Sequence, residues 1–146
     1  MADVLSKESR SFNMSRIRSK DTKPELFVRR FLHKNGFRYK LHVKELPGKP
    51  DIVMPKYKTI IFIHGCFWHG HGGCKYFTIP KTNTDYWTNK IQTNINNYEQ
   101  AKEQLFKAGW KIITIWECDL KNNIAAQTLH NLVAQIQLDL VYSYSN

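Results

Sequence analysis

Three cysteines and one histidine occur at a spacing that suits a metal ion. Cys66, His71 and Cys74 lie close together, and Cys118, the remaining cysteine, follows a predicted strand. Structural zinc sites take four nitrogen or sulfur ligands, and three Cys with one His form such a closed tetrahedron. We therefore predict a structural Zn²⁺ with His71 as the histidine ligand and His69 as the alternative. The competing interpretation is a set of buried free thiols.

One carboxylate and two imidazoles form a second candidate site. If a hairpin turns at residues 55–58, Asp51 faces Phe62, and His64 projects from the same side of the sheet. His69 follows from the next loop. Phosphodiester hydrolysis uses a carboxylate that holds Mg²⁺ and a histidine that moves protons. The pattern indicates a Mg²⁺-dependent nuclease, although an Asp that follows a proline is also typical of a turn or cap.

Aromatic pairs lie beside these residues. Phe67 and Trp68 directly follow Cys66, and Tyr86 and Trp87 stand near the start of a predicted helix. On a basic surface such rings can stack on bases or insert between them. Core packing is the alternative. It suits Phe67 and Trp68 less well, because their neighbours are metal ligands and glycines.

The charge balance points to a polyanionic partner. Among 146 residues, 22 are Lys or Arg and 12 are Asp or Glu, for a formal net charge of +10. Such an excess is typical of proteins that bind nucleic acid, although a merely basic soluble protein would share it. An apolar fraction of 42% excludes a disordered chain and is enough for one domain with a hydrophobic core.

The apolar pattern also bears on location. No apolar run reaches the roughly 20 residues of a membrane-spanning helix. Residues 1–7 lack the apolar stretch of a signal peptide. We therefore expect a cytoplasmic protein, associated with the nucleoid through DNA. No feature argues for an oligomer, so we expect a monomer.

The periodicity of apolar residues predicts the elements that position these sites. Thr22 as N-cap and Glu25 as its capping-box partner begin a helix, and Gly36 ends it. The later elements are strands at 37–43, 51–54 and 59–64, a helix at 84–107, a strand at 110–116 and a helix at 124–141. On the long helix, the predicted buried side comprises Ile91, Ile95, Tyr98, Leu105 and Phe106.

This order predicts a single α/β domain at residues 22–146, with a mixed central sheet flanked by helices. Residues 1–21 form a polar, basic N-terminal arm that carries Arg16, Arg18 and Lys20. We expect these cations to bind DNA phosphates of any sequence in a salt-dependent way.

Several motifs together resemble the very-short-patch repair (Vsr) endonucleases. The resemblance runs from about residue 8 to about residue 121, and the stretch from His64 to His69 is the most specific part. The matching motifs are Asn13-Met14, Asp21-Thr22, Glu25, Leu46-Pro47-Gly48-Lys49-Pro50-Asp51, Phe62-Ile63-His64-Gly65-Cys66-Phe67-Trp68-His69, Tyr86-Trp87 and Trp116-Glu117-Cys118.

The resemblance implies a fold and a reaction. The fold would be restriction-endonuclease-like, with a zinc-stapled loop. The protein would be a DNA mismatch endonuclease that nicks one strand 5′ of the thymine in T:G mismatches. Such mismatches arise when 5-methylcytosine deaminates, and their correction is very short patch repair.

The resemblance also implies roles for residues at the scissile phosphate. Asp51 would be the Mg²⁺ carboxylate, joined by the backbone carbonyl of Ile63. His64 and His69 would assist at the phosphate, with His69 the candidate general base. Glu25 would support the site from the first helix.

Further residues would contact DNA. The resemblance implies that Phe67, Trp68 and Trp87 enter the base stack from the major groove beside the mismatch. Met14, on the basic arm, would enter from the minor groove.

The chain departs from the family pattern at three places. Ile63 stands where Thr is frequent, which a ligand acting through its backbone tolerates. The spacing from His69 to Cys74 is one residue longer than in a familiar member. An Asp of the catalytic site falls at Tyr98, between Asn97 and Glu99. Whether Glu99 or Asn97 replaces that Asp stays open at this point.

Two other functions compete with mismatch nicking. One is a restriction-like nuclease that cuts both strands of matched DNA. The other is a non-catalytic, zinc-containing DNA-binding protein. Asp51 with His64 and His69 argues against a non-catalytic protein, and the Phe67-Trp68 pair favours a mismatch over matched DNA. The flanking bases and the associated cytosine methyltransferase cannot be inferred from these residues.

Overall fold

The computed structural model describes residues 21–145, with side chains up to residue 138. Its helices and strands follow the predicted order of helix, three strands, helix, strand and helix. They are α1 (Lys23–Lys34), β1 (Lys40–Leu41), β2 (Ile52–Met54), β3 (Thr59–His64), α2 (Thr84–Lys107), β4 (Lys111–Trp116) and α3 (Ala125–Ser145). The predicted arm at residues 1–21 lies outside the described residues except for Asp21.

Helix α1 begins where its capping residues predict. The Thr22 hydroxyl accepts a hydrogen bond from the Glu25 backbone N–H at 3.4 Å, which satisfies one free donor of the first turn. The Glu25 carboxylate accepts from the N–H of Asp21 at 3.2 Å rather than from the N-cap residue itself. At the other end, Gly36 takes a left-handed φ of +87°, as a helix stop requires.

The four strands form one mixed sheet in the order β1-β2-β3-β4. Strand β2 pairs antiparallel with β1 and β3, and β3 pairs parallel with β4 across the α2 connection. Met54 pairs with Thr59, so the hairpin register is the predicted one. Residues Pro55–Tyr57 form a short 3₁₀ turn, and Lys58 completes it at a left-handed φ of +50°.

Helices cover both faces of the sheet. Side chains that alternate along β3 and β4 supply the two cores. The core that packs on α1 and α3 comprises Val28, Leu32, Phe37, Ile52, Met54, Ile61, Ile113, Ile115, Leu129, Leu132 and Ile136. The core on the α2 side comprises Val53, Ile60, Phe62 and Leu105. This makes a single α/β domain with a four-stranded mixed sheet.

Two predictions about elements were wrong in part. The first strand is only Lys40–Leu41, because the Phe37 N–H instead bonds back to the Leu32 carbonyl at 2.9 Å and closes the end of α1. Phe106 was expected on the buried side of α2, but its side chain is 74% exposed. Leu105 and Ala101 are buried, so the buried face of α2 is narrower than the apolar pattern predicts.

Glycine allows one loop to approach α2 closely. Gly48 has a φ of +77°, and a Cβ there would stand 2.7 Å from the Cβ of Ala101. The loop before Asp51 therefore rests directly on α2. This contact brings β2, β3 and α2 around one cleft.

Candidate active site

The predicted metal ligands come together in space. One ligand atom from each of Cys66, His71, Cys74 and Cys118 lies within 4.8 Å of all the others. The Cys118 sulfur is 3.4 Å from Nδ1 of His71. Tetrahedral zinc with Zn–S bonds of about 2.3 Å needs ligand atoms roughly 3.7 Å apart, so this donor set fits the ion. His71, rather than His69, is the histidine in the cluster.

Backbone bonds and ring stacking shape the loop that carries this cluster. The N–H of His71 donates to the Cys66 carbonyl at 2.9 Å, and the N–H of Cys74 donates to the His71 carbonyl at 3.3 Å. The His71 ring stacks on Trp116, with centroids 4.0 Å apart and planes 5° from parallel. Ring stacking therefore helps to orient the imidazole toward the thiols.

The thiols differ in their local electrostatics. The N–H of Tyr76 donates to the Cys74 sulfur and lowers the pKa of that thiol. Burial raises the pKa of Cys118 to about 12 and also raises the pKa of Cys66. A bound divalent cation would stabilise the thiolates, so the affinity of this cluster for metal depends on pH.

The Asp51 carboxylate is fixed at the end of the hairpin. Its Oδ2 accepts a hydrogen bond from the backbone N–H of Ile63 at 2.7 Å. Burial raises the pKa of Asp51 to about 6, whereas the Ile63 N–H lowers it and the negative charge of Glu25 raises it further. The raised pKa means that the charged form of this carboxyl group is disfavoured. A cation beside the group would stabilise that form.

His64 and His69 stack on each other. Their ring centroids are 3.6 Å apart and their planes differ by 1°. Burial lowers the pKa of His64 to about 3, with a further contribution from His69, and burial also lowers the pKa of His69. Nδ1 of each ring is buried and has no hydrogen-bond partner among the described residues. Burial therefore favours the neutral form of both rings, the form in which an imidazole accepts a proton.

These groups share one cleft of about 480 Å³. Its lining comes from the end of β1, the loop before β2, the end of β3 and the middle of α2. The lining residues are His42, Lys44, Gly48, Lys49, Asp51, Phe62, Ile63, His64, His69, Asn94, Asn97 and Tyr98. Lys44 and Lys49 also line the cleft, and their positive charges favour an anionic ligand such as a phosphodiester.

The aromatic residues form a cluster beside the cleft. Phe67, Trp68 and Trp87 are half-buried and pack edge to face, with ring centroids 5.3–5.7 Å apart. The side-chain amide of Asn94 donates to the Trp68 carbonyl at 2.9 Å and ties this loop to α2. Tyr86 is 60% exposed and packs on Trp87. The predicted wedge residues therefore lie together, partly covered by one another.

Glu25 is buried behind the cleft, with only 1% of its surface exposed. Its Oε2 lies 2.9 Å from the Arg29 guanidinium and 3.0 Å from Nε2 of His42. The capping interpretation of Glu25 is thus incomplete, since the same carboxylate also binds two basic side chains. One of these, His42, lines the cleft.

The structure distinguishes the three residues at the position of the family Asp. Tyr98 and Asn97 line the cleft, whereas Glu99 lines a different groove and lies 3.8 Å from Lys102. The Tyr98 ring packs edge-on against His64, with centroids 4.5 Å apart, and its hydroxyl bonds to Thr114. Glu99 therefore does not line the cleft that holds Asp51.

Four predicted DNA contacts cannot be located. Met14, Arg16, Arg18 and Lys20 lie outside the residues that the structure describes. Within the described part of the chain, no helix has the length and apolar character to cross a membrane.

Sequence reasoning missed several residues of the site. His42 looked like one polar position of an alternating strand, and Lys49 looked like part of a loop. Arg29 stands four residues after Glu25, a spacing that places both on one helix face and could have indicated their ion pair. Asn94 carried no signal, because its bond to Trp68 depends on how α2 lies against the loop.

The sequence of this chain is similar to those of known proteins. The family model described as DNA mismatch endonuclease Vsr matches residues 2–75. Type II nicking enzyme V.NmeAIP of Neisseria meningitidis is 49% identical over 94% of this chain and 98% of its own length. Type II nicking enzyme V.XorIIP of Xanthomonas oryzae is 45% identical over 84% of this chain and 89% of its own length. DNA mismatch endonuclease Vsr of Escherichia coli is 39% identical over 83% of this chain and 77% of its own length.

Proposed function

The chain belongs to the Vsr family of DNA mismatch endonucleases, and from this premise we propose that it performs very short patch repair. In this proposal it nicks one strand of duplex DNA 5′ of the thymine in a T:G mismatch left by deaminated 5-methylcytosine. The observation that carries the proposal is the shared cleft of Asp51, His64 and His69, which lies next to an aromatic cluster.

The residues of the cleft fit a magnesium ion. Mg²⁺ prefers oxygen ligands, and we propose that the Asp51 carboxylate and the backbone carbonyl of Ile63 hold it. When bound, the ion would polarise the scissile phosphate and lower the pKa of water. The raised pKa of Asp51 supports this role, because the buried carboxylate lacks a full countercharge among the described residues.

We propose that the two imidazoles have distinct tasks. His69 acts as the general base and takes a proton from the attacking water, which its neutral ring is able to accept. His64 lies stacked beneath it, orients it and assists at the phosphate. Glu25 supports the site from behind the cleft. The usual nuclease Glu and Lys are replaced in this chain by Phe62 and His64.

Zinc has a structural role in this proposal. Cys66, His71, Cys74 and Cys118 supply four ligands and leave no open position, so an ion there would hold the loop without taking part in hydrolysis. Trp68 and His69 lie between the first two ligands in the chain. A loop held by zinc would thus fix Trp68, the proposed wedge, relative to His69, the proposed general base.

We propose that Phe67, Trp68 and Trp87 enter the DNA from the major groove at the mismatch. Prying a step apart costs roughly a few kcal/mol, and each stacked aromatic returns about 1–3 kcal/mol. A T:G wobble pair stacks less well than a matched pair, so insertion is favoured there. On insertion, these rings would lose contacts with one another and gain stacking contacts with the bases.

The remaining parts complete the proposal. Residues 1–21 form a DNA-binding arm, in which Met14 enters the minor groove and Arg16, Arg18 and Lys20 bind phosphates. Residues 22–146 form a restriction-endonuclease-like catalytic domain, which the mixed sheet with helices on both faces supports. The enzyme acts as a monomer on chromosomal DNA in the nucleoid.

A restriction-like nuclease that cuts matched DNA remains the alternative. The names of two relatives, which describe nicking enzymes, favour cleavage of one strand over cleavage of both. Asp51, His64 and His69 in one cleft favour an enzyme over a DNA-binding protein without catalytic activity.

The test is a nicking assay with both strands labelled. The protein with Mg²⁺ should cut the T-containing strand of a T:G duplex and leave the complementary strand and a T:A duplex intact. The same reaction with Asp51→Ala is the negative control. Equal cutting of T:A would favour the restriction-like alternative, and no cutting of any duplex would contradict the proposed enzyme.

A further inference from the structure

His42 occupies an unusual backbone position at the wall of the cleft. It directly follows β1 and has a φ of +49°, in the left-handed region that residues other than Gly rarely adopt. Its N–H donates to the backbone carbonyl of Asp51 at 3.2 Å. The backbones of these two residues are therefore tied together, and His42 stands beside Asp51 in the lining of the cleft.

The His42 side chain points back to helix α1. Its Nε2 lies 3.0 Å from Oε2 of Glu25 and 3.5 Å from Oδ1 of Asp21. Glu25 itself does not line the cleft but lies buried behind it. His42 thus connects a buried carboxylate of α1 to the surface where Asp51 is exposed to a ligand.

Arg29 already supplies the positive charge that a separate cation would bring to this cluster. Asp21, Glu25 and His42 come close enough to hold a metal ion. However, the Arg29 guanidinium already lies 2.7 Å from Oδ1 of Asp21 and 2.9 Å from Oε2 of Glu25. A charge-assisted pair of this kind fixes the Glu25 carboxylate. The cluster is therefore a support for the cleft.

We propose that His42 is a positioning residue of the cleavage site, which holds the buried Glu25 carboxylate in fixed relation to Asp51. The inference rests on the proposed function, since Asp51 acts there as the magnesium ligand. His42 makes two contacts in two directions: its backbone N–H donates to the Asp51 carbonyl, and its Nε2 lies 3.0 Å from the Glu25 carboxylate. Partners that orient a metal ligand typically account for 10–100-fold in metal affinity or activity, as an order of magnitude.

The variant His42→Asn separates the side-chain contact from the backbone conformation. Asn tolerates a left-handed φ, but its side chain is too short to reach Glu25. His130→Asn is the matched control, because it makes the same exchange at an exposed position of α3. Glu25→Gln and the double variant complete a thermodynamic cycle.

Two measurements follow metal binding with and without catalysis. Direct Mn²⁺ binding, followed by EPR, should weaken about 10–100-fold in His42→Asn. The Mg²⁺ concentration for half-maximal single-turnover nicking of a T:G duplex should rise to a similar degree. DNA binding without divalent metal, zinc content and melting temperature should stay as in the wild type. The control should match the wild type in every measurement.

The cycle tests whether His42 acts through Glu25. If it does, the double variant is no worse than Glu25→Gln alone. Additive losses, or unchanged Mn²⁺ affinity and Mg²⁺ dependence in His42→Asn, would overturn the inference. A wild-type protein that binds Mn²⁺ but does not nick T:G DNA would instead contradict the proposed function, and the Mn²⁺ affinities would still decide the role of His42.

Discussion

The Cys/His cluster and the cleft that holds Asp51 share the loop after β3, yet they satisfy their polar groups in different ways. In the cluster, Cys66, His71, Cys74 and Cys118 face one another, and four donors fill one tetrahedron. In the cleft, Nδ1 of His64 and Nδ1 of His69 are buried without a partner among the described residues.

The two regions therefore differ in how their buried polar groups affect the free energy of folding. Buried polar groups cost free energy unless they are paired, so most native sites satisfy them. The cleft retains unpaired imidazoles and an Asp51 whose pKa is raised to about 6. On the proposed function, bound metal and phosphate would offset this cost, and the neighbouring cluster would hold the loop that carries His69.

The largest effect should come from opening the cluster. Cys66→Ala removes a buried ligand, and structural zinc contributes on the order of 10 kcal/mol to folding in small zinc domains. We expect the variant to lose zinc on dialysis and to lose its cooperative thermal transition, as followed by metal analysis and circular dichroism. Full zinc retention would contradict the ligand assignment. His71→Ala should behave like Cys66→Ala.

Asp51→Ala should abolish nicking without disturbing the cluster. It removes the carboxylate proposed to hold Mg²⁺, whereas zinc content and affinity for T:G DNA should remain those of the wild type. Single-turnover nicking and DNA binding measured on the same preparation check both halves. Near-normal nicking rates would remove Asp51 from the metal site.

His69→Ala probes the boundary between the two regions. If His69 is the general base, the single-turnover rate should fall roughly 10²–10⁴-fold. The protein should keep its zinc, since His71 is the ring in the cluster. Loss of zinc in this variant, together with zinc retention in His71→Ala, would exchange the roles of the two histidines.

Asp51→Asn should raise the free energy of unfolding of the protein in the absence of Mg²⁺. The raised pKa means that the folded state binds the Asp51 proton more tightly than the unfolded state, whose carboxyl titrates near 3.8. Ionisation therefore lowers stability progressively as the pH rises from about 4 through about 6, and this amounts to at most about 3 kcal/mol at pH 7.5. The amide removes that penalty.

We expect urea unfolding in Mg²⁺-free buffer to give Asp51→Asn an advantage of about 1–3 kcal/mol at pH 7.5. The advantage should vanish below about pH 3, where Asp51 is protonated in both states. Added Mg²⁺ should stabilise the wild type and not the variant. A wild type that is more stable than Asp51→Asn at pH 7.5 without Mg²⁺ would show that the cleft is not strained by its charge.

The smallest effect should be on discrimination. Trp68→Ala removes about 1–3 kcal/mol of stacking at the mismatch. The ratio of T:G to T:A cleavage should therefore fall, while binding to matched DNA changes little. Tyr86→Ala, at an exposed ring of the same cluster, is the comparison variant. If Trp68→Ala weakened both duplexes equally and left the cleavage ratio unchanged, Trp68 would be a packing residue.

The features that depend on local interactions could be predicted from the sequence. Thr22 begins α1, the bounds of β3 and α2 are the predicted ones, and Met54 pairs with Thr59. Caps, periodicity and turn length act within a few residues, so a pattern along the chain is enough to specify them. Cys66, His71 and Cys74 are likewise near neighbours in the chain.

Contacts between residues far apart in the chain depend on the tertiary structure. It places His71 in the cluster and stacks His69 on His64. It brings His42 to Glu25 and turns Glu99 away from the cleft. These outcomes depend on how α1, α2 and the loop pack against the sheet. Because contacts between segments far apart in the chain are set by the packing of whole elements, no local pattern carries them.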